Sequence, residues 1–474
     1  MAAARAVVDG GVVGLSGASS PVGAPGRATA SRLALLTALA LLLGGAASHA
    51  ATFPRPAALE PAVAFWRSIF SRYSELQEVV HDDRYLDRIY AVLDFSDRAG
   101  PDGRLSSAEE RRRDRVVRRE KERIRRILLR IHRLGASSPA LDAEERRIAM
   151  LLADLPGRDR YRRAAERLRS QAGLRERFAA GIARQSGYLE RMERIFRERG
   201  LPVELVRLPL FESSFDLDAY SKAGAAGVWQ FMPSTGRRYL RVDASIDERR
   251  DPLRATEAAA ELLARNYEAL GSWPLAITAY NHGRAGIRRA VAAVGSRDIG
   301  RIVREYRGRS FGFASRNFYA EFLAAVDVAE HAEELYGPIP HVPAPRSREI
   351  RLRRSMRLRE ASRVTGVARE HLIAMNPAFL SRVIRERSPI PRGYRLRLPL
   401  SDRDVRVALA RPSTASRAAI PPDPPYVIHT VRRGQTLSGI ARRYGTSVRA
   451  IQGLNGVRRP RALRVGQKLR IPRR

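Results

Sequence analysis

The sequence predicts a mainly α protein: a helical accessory region, a second α-helical domain, and small βααβ modules at the C-terminal end. Three observations carry that expectation. Apolar residues recur at helical spacing from Glu60 to about Leu335. Proline-rich stretches, "YGPIPHVPAPRSRE" and "RPSTASRAAIPPDPP" (Arg411 to Pro425), then mark boundaries. Around the second of these lie two short segments that alternate like strands at both ends and carry two short amphipathic helices between. The expected domains are residues 1–50 as a signal peptide, 51–195 helical, 196–336 helical, 347–401 and 425–473 βααβ, with an extended linker over 402–424.

Composition narrows the function classes. The formal net charge is +37 and the pI about 11.5. The basic residues are nearly all arginine, with lysine only at Lys121, Lys222 and Lys468. No nucleic-acid motif accompanies the charge, so no nucleic-acid partner is expected; an anionic polymer or envelope surface fits it equally well. Cysteine is absent, which excludes disulfides, thiol catalysis, cysteine metal sites and lipoprotein attachment. The histidines do not form ligand-like spacings, so neither a metal nor a cofactor is expected. Arg5, Arg27 and Arg32 precede the apolar run "LALLTALALLLGGAASHA", where Ser48 and Ala50 suit a signal-peptidase site. The run is shorter than the ~20 residues of a spanning helix. The expectation is export with cleavage after Ala50; an uncleaved anchor is the alternative.

Within the first helical region, Ser106 and Glu109 form a capping box, Val117, Ile124, Leu128 and Ile131 recur on one face, and Gly135 supplies the stop. A second helix covers "ERFAAGIARQSGYLERMERIFRERG", closed by Gly200.

The stretch "LFESSFDLDAYSKAGAAGVWQFMPSTG" (Leu210 to Gly236) raises the functional question, because it sets Glu212 among small residues. Val203, Val206 and Leu210 share a helical face that opens at Pro202, which puts Glu212 near a helix C-terminus. The dipole there and burial beside Phe211 and Phe215 both disfavour its charged form, which suits a general acid. Alanines and glycines from Ala223 to Gly227 permit close backbone approach. Gln230 offers a donor and an acceptor on one amide, a match for an acetamido group. "AYNHGRAG" adds Tyr280 and Asn281 in another turn.

In order, "ESSF", "AYSKAGAAGVWQFMPSTG", "AYNHG" and "SRNFYAEFLAA" resemble the soluble lytic transglycosylase catalytic domain, a lysozyme-like fold related to goose-type lysozyme, over about Leu201 to Glu334. With the leader, helical preamble and tail, the chain resembles membrane-bound lytic murein transglycosylases. That resemblance implies a glutamate, here Glu212, that protonates the glycosidic oxygen between N-acetylmuramic acid and N-acetylglucosamine. As carboxylate it then takes the proton of the muramoyl C6 hydroxyl, which closes a 1,6-anhydro ring. It further implies substrate contacts at Ser221, Gln230, Tyr280 and Asn281; the family tyrosine is Phe318 here, so its hydroxyl is either lost or supplied one position on by Tyr319. Asp216 and Asp218 have no necessary role.

The last unit, "YVIHTVRRGQTLSGIARRYGTSVRAIQGLNGVRRPRALRVGQKLRIP", resembles a LysM domain, the small fold that binds N-acetylglucosamine-containing glycans. The resemblance implies glycan contacts at Gly434, Gln435, Thr436, Asn455 and Gly456, and peptidoglycan strands as the partner. The 347–401 unit repeats the order with "MNP" for "LNG" and "GYRLRLP" for "GQKLRIP", and reads as a degenerate copy. Two other readings remain beside periplasmic murein cleavage: a goose-type lysozyme that hydrolyses with water, and a non-catalytic wall-binding protein.

Overall fold

A computed structural model describes residues 52–409, 426–431, 434–457, 463 and 466–472. The leader and most of the Pro-rich linker lie outside the described residues. The chain divides into Met1–Pro54 and Arg55–Arg474, and every helix and strand named below belongs to the latter.

The N-terminal region contains α1 (Glu60–Ser71), β1 (Gln77–Asp82), β2 (Ile89–Asp94), α2 (Ser107–Leu134), α3 (Ala143–Met150), α4 (Arg160–Glu166) and β3 (Leu168–Ala172). The sheet, of order β2-β1-β3 and antiparallel throughout, corrects the all-helical expectation. Its strands are five or six residues long, too short to interrupt a helical period visibly, although "IYAVLD" has strand-type residues. Helix α2 keeps the expected cap, stop and apolar face, but of the expected capping box only the Ser106 half forms; its cap contacts include no bond from the Ser106 N–H to the Glu109 carboxyl. Ser106 accepts the Glu109 N–H at 3.2 Å, Gly135 closes the last turn at φ 89°, and the buried face is Val117, Ile124, Leu128 and Ile131. Most of that face packs with Tyr90, Ile148, Leu152 and Tyr161.

The second helical domain comprises α5 (Arg175–Arg197), a 3-10 turn at Val203–Arg207, α6 (Leu208–Ser213), α7 (Pro233–Gly236), α8 (Pro252–Leu270), α9 (Trp273–His282), α10 (Arg284–Val294), α11 (Ile299–Glu305), α12 (Phe313–Glu330) and α13 (Ala332–Tyr336). Helix α1 packs along α12 and so joins this bundle rather than the region it precedes. Arg67 pairs with Asp327 at 2.8 Å, and Phe70 stacks on Phe178 at 4.5 Å.

The Pro-rich stretch after α13 is a strap laid on α5. Ser186 Oγ accepts the Val342 N–H at 3.1 Å, and a Cβ on Gly187 would meet Val342 O at 2.3 Å, so only glycine admits the strap there. Beyond it, β4 (Ser347–Arg351), α14 (Leu358–Thr365), α15 (Arg369–Met375), a single turn α16 (Ser381–Ile384) and β5 (Arg395–Pro399) complete the expected βααβ order. This module is welded to the bundle. Ile246 shares its core with Leu358, Phe379 and Leu396, and the Asp247 N–H donates to Ala378 O at 2.9 Å. Arg397, bonded to Glu349 at 3.0 Å, also bonds Asp251, the N-cap of α8. Helix α17 (Asp402–Leu409) replaces the first part of the expected extended linker.

The last unit is β6 (Tyr426–Thr430), α18 (Leu437–Arg443), α19 (Val448–Asn455) and β7 (Lys468–Pro472), with β6 and β7 antiparallel over a core that includes Leu437, Ile440, Ala441 and Ile451.

Candidate active site

Helix α6 is a six-residue helix with Pro209 in its first turn. It ends because Ser214 and Phe215 both take left-handed backbone, each at φ 51°. Phe215 is fully buried against Tyr188, which anchors the reversal. Glu212 therefore sits on a last turn that leads directly into the small-residue loop.

Glu212 keeps part of its surface open to solvent but is packed about with protein, and no hydrogen bond or ion pair among the described residues reaches its carboxyl. Burial pushes it up to about 8. The expected dipole contribution is not needed. Asp216 does not act on Glu212; it accepts the Asp218 N–H at 3.0 Å in the turn that follows.

The small residues have a physical explanation. Arg249 is 3% exposed and forms a buried strut beneath the loop. Its Nε and Nη2 pair with Asp247 at 2.8 and 2.7 Å, while Nη1 donates to both Gly224 O and Phe231 O at 2.8 Å. Gly227, at φ 71°, lies so close that a Cβ would sit 1.8 Å from Arg249 O. Ser213 ties the loop to α6 by donating to Val228 O at 2.8 Å. Trp229 is wholly buried, with Nε1 donating to Thr256 Oγ1 at 2.9 Å.

Tyr280 closes the opposite side. Its hydroxyl donates to Trp229 O at 2.6 Å, and it lies in the electrostatic field of Glu212. Phe318 stacks on Tyr280, centroids 6.1 Å apart, and meets Phe211 edge-on at 5.2 Å. Of the other expected residues, Gln230 adopts φ 47° and spends its amide N–H on Gly227 O at 2.9 Å. Ser221 Oγ accepts the Ala225 N–H at 2.9 Å inside its own turn. Asn281 is exposed, and its Oδ1 accepts from Ser315 Oγ at 2.8 Å.

Tyr319 is a correction. It is 1% exposed, packs on Phe322, and feels Arg55 rather than Glu212. Consecutive helical residues diverge by about 100°, so Phe318 turns toward Phe211 and Tyr280 while Tyr319 turns toward Phe322.

Glu321, one turn after Phe318, was missed by sequence reasoning. Its carboxyl is pushed up to about 8 by burial and by the charge of Glu212, against the pull of Arg169. The legible signal was a charged residue inside the apolar run "FYAEFLAAV". Among the described residues, no group of three or more His, Asp or Glu is placed to hold a metal.

In the last module, Gly434 and Thr436 are exposed in the loop after β6, and Gln435 Oε1 meets His429 Nε2 at 2.8 Å. Thr436 caps α18 by accepting the Gly439 N–H. Asn455 bridges to β7, accepting the Arg470 N–H and donating to Arg470 O, both at 2.6 Å. Gly456 ends α19 at φ 64°. Thr436, Asn455 and Gly456 thus carry structural duties irrespective of any glycan.

Residues 193–303 match the transglycosylase SLT domain family, and residues 429–472 match the LysM domain family. The SLT match contains Glu212, Ser221, Gln230, Tyr280 and Asn281, and stops short of Phe318 and Glu321. Over 294 residues the chain is 29% identical to membrane-bound lytic murein transglycosylase D of Escherichia coli (strain K12), a match covering 58% of this chain and 61% of that protein. The protein of the same description from Escherichia coli O6:H1 matches with the same identity and coverage. The chain therefore spans 61% of the length of these relatives.

Proposed function

We propose that the protein is a murein lytic transglycosylase, cutting the β-1,4 bond between N-acetylmuramic acid and N-acetylglucosamine without water and leaving 1,6-anhydro-muramoyl ends. The observation that carries this reading is Glu212: a carboxyl within the SLT match that has no hydrogen bond or ion pair among the described residues, held protonated at neutral pH on the open side of a buried scaffold. In that state it is a general acid for the glycosidic oxygen. The carboxylate left behind is the base for the muramoyl C6 hydroxyl, so the substrate supplies the nucleophile. Ser221, Gln230, Tyr280 and Asn281 line the proposed glycan path. Tyr280 does so by fixing the wall opposite Glu212, and Gln230 by presenting its free carbonyl oxygen. A hydrolytic, goose-type reading is favoured by one observation, the second carboxyl Glu321, since a hydrolase has use for a pair; the product test that closes the Discussion separates the two.

The LysM unit supplies affinity in this reading, holding murein strands near the cleft through Gly434, Gln435 and their neighbours. The net charge of +37 adds attraction to anionic wall polymer. Among the described residues no helix is long and apolar enough to cross a membrane, and the proposed location is the envelope, reached by export. The test is incubation of purified chain with insoluble murein. The full chain should release soluble muropeptides and sediment with the sacculi. A chain ending at Pro425 should still cut soluble fragments but sediment at least tenfold less, because tethering raises effective concentration without new catalytic contacts. Salt that screens charge must be present. Equal sedimentation of both chains contradicts the targeting role, and no muropeptide release from either contradicts the function.

A further inference from the structure

We infer that His282 and Ser315 are positioning residues: as one hydrogen-bonded chain they fix the side-chain amide of Asn281 as a donor toward the glycan. The inference rests on the reading of Asn281 as a glycan contact given above.

The chain of bonds joins the last turn of α9 to the first turn of α12. Ser315 is 6% exposed and lies one turn before Phe318, whose ring stacks on Tyr280, the neighbour of Asn281. The Ser315 hydroxyl donates to Asn281 Oδ1 at 2.8 Å, and His282 Nδ1 lies 3.2 Å from the same Ser315 Oγ. The imidazole is wedged edge-on against the buried Phe311, centroids 5.1 Å apart. Its other nitrogen, Nε2, is shut off from solvent and has no hydrogen-bond partner among the described residues. Gly286 of α10 covers that nitrogen so closely that a Cβ would sit 2.6 Å from it.

The orphaned nitrogen sets the direction of all the bonds. Burial, reinforced by the charge of Arg289, holds the imidazole below its ordinary range, so near pH 7 it is neutral and carries one N–H. A buried N–H without an acceptor is costlier than a bare ring nitrogen, so the proton sits on Nδ1. Nδ1–H then donates to Ser315 Oγ, and the single Ser315 proton goes on to Asn281 Oδ1. Turning the Asn281 amide over would aim two donors at Ser315 Oγ and strand the hydroxyl proton. With its carbonyl occupied, Asn281 offers its two N–H bonds on the exposed side, where they suit an acceptor oxygen of the substrate. Gln230 is polarised the other way, because its own N–H is spent on Gly227 O. The two amides assigned to the glycan path are therefore not interchangeable.

The first test needs neither activity nor a variant. Side-chain ¹⁵N NMR of the full-length chain near pH 7 should show His282 as the neutral Nδ1–H tautomer with a bare Nε2. The Nε2–H tautomer overturns the inference, because the bonds would then run the other way. Kinetics on soluble murein fragments test the consequence. Ser315→Ala should raise KM about five- to tenfold with kcat within about twofold, the worth of one hydrogen bond made equally in the ground and transition states. Asn281→Asp should raise KM at least as far, because its carboxylate still accepts from Ser315 but donates nothing. The double variant Ser315→Ala/Asn281→Ala should match Asn281→Ala alone. A Ser315→Ala penalty that persists in full without Asn281 overturns the inference, since Ser315 would then act on the fold rather than through the amide. So does a folded Asn281→Asp protein with the wild-type KM. Absent cleavage by the wild type, with the Nδ1–H tautomer in place, would instead count against the reaction assigned above.

Discussion

Replacing Glu212 with glutamine is expected to reduce murein cleavage by about 10³ or more, since in the proposed mechanism one residue carries both proton transfers and each is worth roughly 10²–10⁴. The same substitution should stabilise the fold at alkaline pH. The carboxyl titrates at about 8 in the folded chain against an ordinary 4.5. Folded protein therefore keeps a proton that unfolded chain loses between those values. Stability falls as pH rises through that window, and the loss is complete above about 8. Glutamine carries no such penalty. Urea unfolding at pH 9 should show the variant more stable than wild type, with the difference vanishing near pH 4. Substantial activity in the folded variant removes Glu212 from the chemistry, and equal stability at both pH values refutes its burial.

Gly227→Ala should be among the most damaging conservative changes in the chain. The new Cβ would meet Arg249 O at 1.8 Å, and the backbone there is at φ 71°. Overpacking contributes ~1–3 kcal/mol and left-handed alanine ~1–2 kcal/mol. Arg249 has no room to yield, because its guanidinium is bonded to Asp247, Gly224 and Phe231. A loss of about 2–5 kcal/mol is expected by urea denaturation, with cleavage falling as the loop leaves Glu212. An unchanged midpoint would mean that the strut does not constrain the loop.

Much of this was legible in the sequence because local chemistry decided it. The Ser106 cap, the Gly135 stop and the buried stripe of α2 are short-range features, and so is the βααβ order of both C-terminal modules. The β2-β1-β3 sheet was not, since its register is set by pairing β1 with β3 across some 90 residues. The interlocking of the 347–401 module was equally invisible, because Ile246 enters a core whose other members lie more than 100 positions later. In the site, Glu212 and Tyr280 stood out by motif. Glu321 did not, because its meaning comes from α12 packing against α6. Tyr319 was misplaced because a hydroxyl one position along a helix faces another direction, not a slightly shifted one.

The central claim is that the substrate's own C6 hydroxyl, not water, attacks C1. Digestion of murein in ¹⁸O water tests it most directly. Retaining hydrolases set their carboxyls ~5–5.5 Å apart and inverting ones ~6.5–9.5 Å apart, and both pass a water oxygen to C1. Held as proposed, the C6 hydroxyl outcompetes solvent through its effective concentration. Mass spectrometry should find muramoyl ends one water lighter than reducing ends, with no isotope taken up. Reducing ends carrying ¹⁸O at C1 would contradict the account and make the enzyme a lysozyme with Glu212 and Glu321 as its pair.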